Sequence, residues 1–192
     1  MAKNSGRART RLQQAALELF RERGYDQTTA AEVAERAGVT ERTFFRYFPD
    51  KREVLFDGEA ELWETLADAV AGAPAELGPF DALFRAFRSI QPTIEGYRSF
   101  SKPRHELISE TPALLERELS KRAAMADTAA DALRARGVSD VQATLAAQAG
   151  VAAFLHAVVS WFHDPERGLG NHLDSVERDL RSVLGSPMRD GD

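Results

Sequence analysis

The chain contains no cysteine. A disulfide framework, a thiolate metal site and a cysteine nucleophile are all excluded by that one absence. There is no glycine-rich phosphate loop and no cluster at metal-ligand spacing, and the 4 scattered histidines supply no nucleophile–base pair. No catalytic residue, metal or cofactor is therefore expected. The stretch MAKNSGRARTR lacks the apolar core of a secretory signal. No apolar run reaches bilayer-spanning length: the longest, VAAFLHAVVSWF, is interrupted by His156 and bounded by His163 and Asp164. A soluble cytoplasmic protein without a membrane partner is the expectation. Convincing strand alternation and internal repeats are missing too, and at 192 residues the chain is long enough to bury a core without staples.

Charge is present but unevenly distributed. The net charge of -5 argues against a polyanionic partner. Residues 1–52 nevertheless hold 11 basic against 7 acidic side chains, and the remainder 14 against 23. The first acid, Glu18, follows Lys3, Arg7, Arg9 and Arg11. A basic head on an acidic body suggests that one end meets nucleic acid.

The periodicity is helical almost throughout. Leu12, Ala15, Ala16, Leu19 and Phe20 mark a helix over 9–23 that stops at Gly24. Thr29 and Glu32 have capping-box spacing for a second helix, with Ala30, Val33, Ala34 and Ala37 on its apolar face and Gly38 at its end. Thr40 is a good N-cap for a third helix, from Glu41 to about Tyr47, and Pro49 closes it. Asp50 and Glu53 repeat the capping spacing, which predicts a longer helix carrying Val54, Leu55, Leu62, Leu66 and Val70. AGAPAELGP, residues 71–79, reads as a boundary or linker. Further helices are expected over 80–90, 104–110, 112 to Gly137, 141–163 and 171–184, followed by a polar tail, GSPMRDGD.

Two short helices joined by Ala37-Gly38-Val39-Thr40 make a helix-turn-helix. Small Ala34 and Ala37 permit close approach, and Val39 can plug the gap. The second helix would lie in the major groove, and its N-terminal dipole also favours phosphate. Arg7, Arg9 and Arg11 form an arm that enters the minor groove, tracks the backbone or merely solubilises the chain.

The run FRERGYDQTTAAEVAERAGVTERTFFRYFPDKREVLF resembles the N-terminal domain of the tetracycline-repressor (TetR) family of transcriptional regulators. The matching pieces are Phe20 with Gly24-Tyr25, Thr28-Thr29, Val33-Ala34, Ala37-Gly38-Val39, Thr43, Tyr47-Phe48, and Lys51 with Leu55. The resemblance implies an all-α fold of about nine helices. Residues 1–52 would be the three-helix DNA-binding domain, and 53–192 a helical ligand-binding and dimerisation domain. It implies DNA contacts from Thr28, Thr29, Thr40, Thr43, Tyr47 and Lys51, with Tyr47 and Lys51 on phosphate. Phe44 and Phe48 are expected in the core. The chain departs from the family at Arg42, where many members have Gly, and at Phe45, where many have Tyr. Phe45 cannot hydrogen-bond a phosphate, so it either meets a thymine methyl or packs. Arg42 and Arg46 share a helix face. Either can bond guanine, and Arg46 can equally hold phosphate or pair with Asp50.

For the acidic body the resemblance implies a homodimer on a palindromic operator and a small-molecule effector of unknown identity. Leu169, Leu173, Val176, Leu180 and Val183 form a 4-3-4-3 seam. Leu145, Gln148, Ala152, Leu155, Val159 and Phe162 form a second, and an internal core explains either stripe as well. The candidate dimer contacts are Leu155, Val159, Phe162, Leu169, Leu173, Val176 and Leu180. Candidate pocket residues are Phe84, Phe87, Tyr97, Phe100, His105, Met125, Phe154, His156 and Trp161. RHELISETPALLERELSKR is similar to regulators responding to acyl-CoA-like molecules, which would make Arg98, Lys102 and Arg104 phosphate partners. The reading is a DNA-binding regulator, a repressor released by an apolar or acyl-CoA-like effector. A helical small-molecule or lipid carrier with a vestigial helix-turn-helix is the alternative.

Overall fold

The computed structural model describes residues 2–185, with side chains from residue 6 onward. The polar tail beyond Gly185 lies outside the described residues. Among the described residues there are nine α-helices, one 3-10 turn and no strand. In order they are α1 (Ala2–Arg23), α2 (Ala30–Arg36), α3 (Glu41–Tyr47), the 3-10 turn (Glu53–Leu55), α4 (Glu59–Ala71), α5 (Pro79–Gly96), α6 (Arg98–Glu110), α7 (Pro112–Ala135), α8 (Asp140–His163) and α9 (Leu169–Leu184).

The chain divides into two compact units. The first takes the described residues of Met1–Ala60 together with Ser99–Ser120, and the second those of Glu61–Arg98 together with Lys121–Asp192. In the first unit, α1 packs on α2, α2 on α3, and the 3-10 turn on α1. Its core joins Leu12, Leu19, Phe20, Val33, Phe44, Phe48 and Phe56 to Leu107, Ile108 and Leu114 from α6 and α7. Phe44 and Phe48 lie 5.3 Å apart in that core.

Two local predictions differ from the structure here. The helix expected to run on from Asp50 is broken. Asp50 Oδ1 accepts from the backbone N–H groups of Arg52 and Glu53, but that capping starts only a single 3-10 turn. Gly58, at φ 86°, then redirects the chain before α4 begins. The segment expected as an arm is helical from Ala2, so Arg7, Arg9 and Arg11 stand on α1. In addition, α6 begins at Arg98, earlier than the sequence pattern suggests.

In the second unit α8 packs on both α5 and α9, and α5 on α9. Phe87 stacks on Phe154 at 4.5 Å, and Phe84 meets Phe87 edge-on at 5.6 Å. Gly150 lets α8 approach α5: a Cβ there would stand 3.0 Å from Leu83 Cδ1. Arg88 on α5 pairs with Asp174 and Glu177 on α9, both at 2.6 Å. The 71–79 stretch is a loop inside this unit. The Arg136 guanidinium binds its carbonyls, reaching Pro74 at 2.8 Å and Leu77 at 3.2 Å and also bonding Ala73. By length and composition α8 could cross a membrane. Flanking alanines extend it beyond the apolar run visible in the sequence. Ala143, Ala147, Phe154 and Trp161 on its inner face are buried in the unit's core.

Candidate nucleic-acid interface

The helix-turn-helix is built by local chemistry. Thr29 caps α2 in a full capping box: its hydroxyl accepts from Glu32 N–H at 3.2 Å, and its own N–H donates to the Glu32 carboxylate at 2.8 Å. The backbone N–H and then the hydroxyl of Thr29 hold the Glu32 carboxyl below the usual carboxylate range. The end of α2 is a Schellman turn. Val39 N–H donates to Ala34 O at 2.9 Å and Gly38 N–H to Glu35 O at 3.0 Å. Gly38 sits at φ 69°, a region that side-chain-bearing residues avoid. Thr40 then caps α3, accepting from Thr43 N–H at 3.2 Å, with the two threonine hydroxyls 3.0 Å apart.

The caps aim α3. Phe44 points inward and is fully buried, while Glu41, Arg42, Phe45 and Arg46 face outward. Arg42 has no hydrogen bond or ion pair among the described residues. Phe45 is half exposed (50 %), and its ring stands edge-on to Phe44 at 5.4 Å. Arg46 donates to the Tyr47 hydroxyl at 3.1 Å and lies 4.9 Å from that ring's centre. Arg9 approaches the same ring at 5.7 Å and pairs with Asp57 at 3.2 Å. Tyr47 is thus flanked by guanidinium groups from α1 and α3. Arg7 and Arg11 are exposed on α1.

Other expected contact residues are engaged within the fold. Thr28 is buried, and its hydroxyl donates to Gly24 O at 2.9 Å. The Lys51 ammonium donates to Tyr25 O at 2.7 Å and to Thr28 O at 2.9 Å. Burial pushes the Tyr25 phenol up. Burial alone would also raise Asp50, but hydrogen bonds from the Arg52 side chain and from two backbone N–H groups outweigh it and hold the carboxyl low. The roles of Tyr25 as a platform for Lys51 and of Asp57 as an anchor for Arg9 escaped the sequence reading. The Gly24-Tyr25 pair at a helix stop was a usable signal for the first. Nothing marked the second, since the partners lie far apart in the chain.

The residues proposed for an effector are spread over both units. Phe84, Phe87, Met125, Phe154 and Trp161 are buried in the core of the second. Tyr97 and His156 are exposed there, whereas Phe100 and His105 belong to the first. Arg104 is held by Glu59 at 2.5 Å and Glu118 at 3.2 Å, and Lys102 by Glu106 at 2.7 Å. Of the residues proposed for a dimer interface, Leu169 and Leu173 are fully buried within the protomer and Phe162 nearly so. Leu155, Val159, Val176 and Leu180 are only partly covered.

Residues 12–57 match the profile of the bacterial regulatory proteins of the tetR family, and residues 77–185 match the MftR C-terminal domain. The HTH-type transcriptional regulator TcmR of Streptomyces glaucescens is 33% identical over 136 residues. That alignment covers 68% of this chain and 60% of TcmR, so the chain spans less than two thirds of that relative's length. Among solved structures, the triclosan complex of SmeT from Stenotrophomonas maltophilia superposes with a TM-score of 0.65 at 18% identity, covering 96% of this chain and 97% of that one. Thermus thermophilus FadR, a repressor solved with lauroyl-CoA, gives 0.57 at 26% identity, covering 96% and 98%.

Proposed function

The chain belongs to the TetR family of bacterial regulatory proteins, and from that membership we propose that it is a cytoplasmic, sequence-specific DNA-binding repressor. The observation that carries this reading is the outward face of α3. A capped helix-turn-helix presents Arg42, Phe45 and Arg46 together, with Arg9 and Tyr47 beside them. The arginines supply the charge that draws in the phosphate backbone, and a helix of this size enters the major groove. In this reading Tyr47 and Arg9 hold phosphate, while Arg42 and Arg46 reach base edges.

The repressor acts as a homodimer on a palindromic operator, because a two-fold protein reads a two-fold site. The exposed stripe of α8 supports this: Val141, Leu145, Gln148, Ala152, Leu155 and Val159 follow a 4-3-4-3-4 spacing on its open side. Val176 and Leu180 of α9 add partly covered apolar surface.

The effector is a small apolar or acyl-CoA-like molecule that favours a dimer unable to bind DNA. The lauroyl-CoA bound by FadR is one support. A second is the interior of the second unit. Beside its aromatic cluster, the buried Trp63 Nε1 and Arg98 Nε have no hydrogen-bond acceptor among the described residues. Such donors suit a ligand that brings a carbonyl or phosphate oxygen to an apolar body.

The test selects duplexes from a random library with the full chain and then titrates lauroyl-CoA into the selected complex. A selected duplex should outcompete scrambled DNA. Lauroyl-CoA should weaken binding and raise Tm together, since linkage ties the two. Equal affinity for selected and scrambled duplexes would reject the regulator reading. Failure of lauroyl-CoA to move either quantity would reject the acyl effector alone.

A further inference from the structure

We infer that Phe45 is a specificity-determining residue that reads the C5-methyl group of a thymine, one per operator half-site. The inference rests on the DNA-binding reading above and adds a base identity to it. A buried Phe45 would be a core residue, but half of its surface is open. Its neighbour Phe44 fills the core position and braces the Phe45 ring edge-on at 5.4 Å. The exposed ring is therefore held in place at little entropic cost on binding.

The surroundings name the partner. Arg42, one turn before Phe45, and Arg46, which lies over the Tyr47 ring, are both exposed on the open side of α3, so the surface that meets this ring is anionic. Phenylalanine has no hydroxyl with which to take a phosphate. In the major groove the base edges present hydrogen-bond donors and acceptors, bare ring C–H positions, and one apolar group that projects from the ring, the thymine methyl. A braced phenyl ring beside arginines is matched to that group: the arginines take phosphate or guanine oxygens, and the ring covers the methyl. A ring resting on deoxyribose would bury apolar surface as well, but it would be blind to the methyl.

The test uses the duplex selected by the full chain from a random library and replaces each thymine in turn by deoxyuridine, which deletes only the methyl. For the unmodified protein, one thymine in each half-site should prove sensitive. Its loss should weaken binding roughly fourfold per half-site, the scale of one buried carbon. Phe45→Ala should bind the thymine and deoxyuridine duplexes equally while melting like the parent protein. The inference is overturned if no deoxyuridine duplex binds the parent protein more weakly, or if the sensitivity persists in Phe45→Ala. If selection returns no preferred duplex, the regulator reading falls and this inference falls with it. A preferred duplex with no methyl sensitivity removes this inference alone.

Discussion

The Lys51 ammonium sits 4.0 Å above the Tyr25 ring and donates to the carbonyl of the same residue at 2.7 Å. With the bond to Thr28 O, two of its three N–H donors close the turn that leads into α2. The lysine expected from the family resemblance to meet phosphate is thus, in the structure, a strut of the helix-turn-helix. Lys51→Met should cost about 2 kcal/mol, the scale of hydrogen bonds to a charged group. Urea denaturation checks this as a lowered midpoint at unchanged slope. A melt identical to the parent protein's would remove the strut role.

The capping box should make the start of α2 sensitive to acid. The folded pKa of Glu32 lies below its unfolded value, first because the Thr29 N–H bonds the carboxylate. Its contribution is therefore complete above the unfolded value of about 4.3 and is lost as pH falls through the lower folded value. Glu32→Gln keeps a capping-competent side chain but cannot titrate. The gap in Tm between the parent protein and Glu32→Gln should narrow on going from about pH 7 to about pH 3. A gap that stays constant would show that the carboxylate charge contributes nothing.

Adjacent phenylalanines should behave oppositely. Phe44 is fully buried, and Phe44→Ala should destabilise by about 3–5 kcal/mol. Phe45 is half exposed, and Phe45→Ala should fall within about 0.5 kcal/mol of the parent protein. Chemical denaturation of the two variants settles the division, and similar losses for both would contradict it.

For self-association, Leu145 and Leu173 are the informative pair. Leu145 is 62% exposed on α8, whereas Leu173 is fully buried in the protomer. Leu145→Glu should leave helical content intact while shifting sedimentation toward monomer and weakening DNA binding. Leu173→Glu should instead unfold the second unit, because it buries an unpaired charge. A parent protein that sediments as a monomer at micromolar concentration would remove the basis for the dimer.

Features set by neighbours in sequence were the legible ones. The capping box at Thr29, the Thr40 cap, the glycine at position 38 and the alternation of buried and open faces on α3 all lie within a few residues of their cause. The break after Leu55 was not legible, because the Asp50 capping pattern is real but is overridden one turn later at Gly58. Arg104 illustrates the other limit. The likeness of its stretch to acyl-CoA-responsive regulators made it a phosphate partner, yet its guanidinium is claimed by Glu59 and Glu118. Leu173 illustrates the same limit among apolar residues: a helical stripe states that a face is covered, not whether the protomer or a second copy covers it.

The discontinuity of the first unit has a consequence in time. Leu107, Ile108 and Leu114 complete a core whose other members end at Phe56, about fifty residues earlier in the chain. A ribosome adding about 5–20 residues per second delivers them roughly 3–10 s after Phe56. Through that interval the core that includes Phe44 of α3 and the adjoining Phe48 lacks three of its buried members. A chain released before Ser99 therefore carries every side chain proposed to meet DNA on an unfinished scaffold. Such a fragment is expected to be cleared by proteases, as unfolded chains are, before it can compete for DNA.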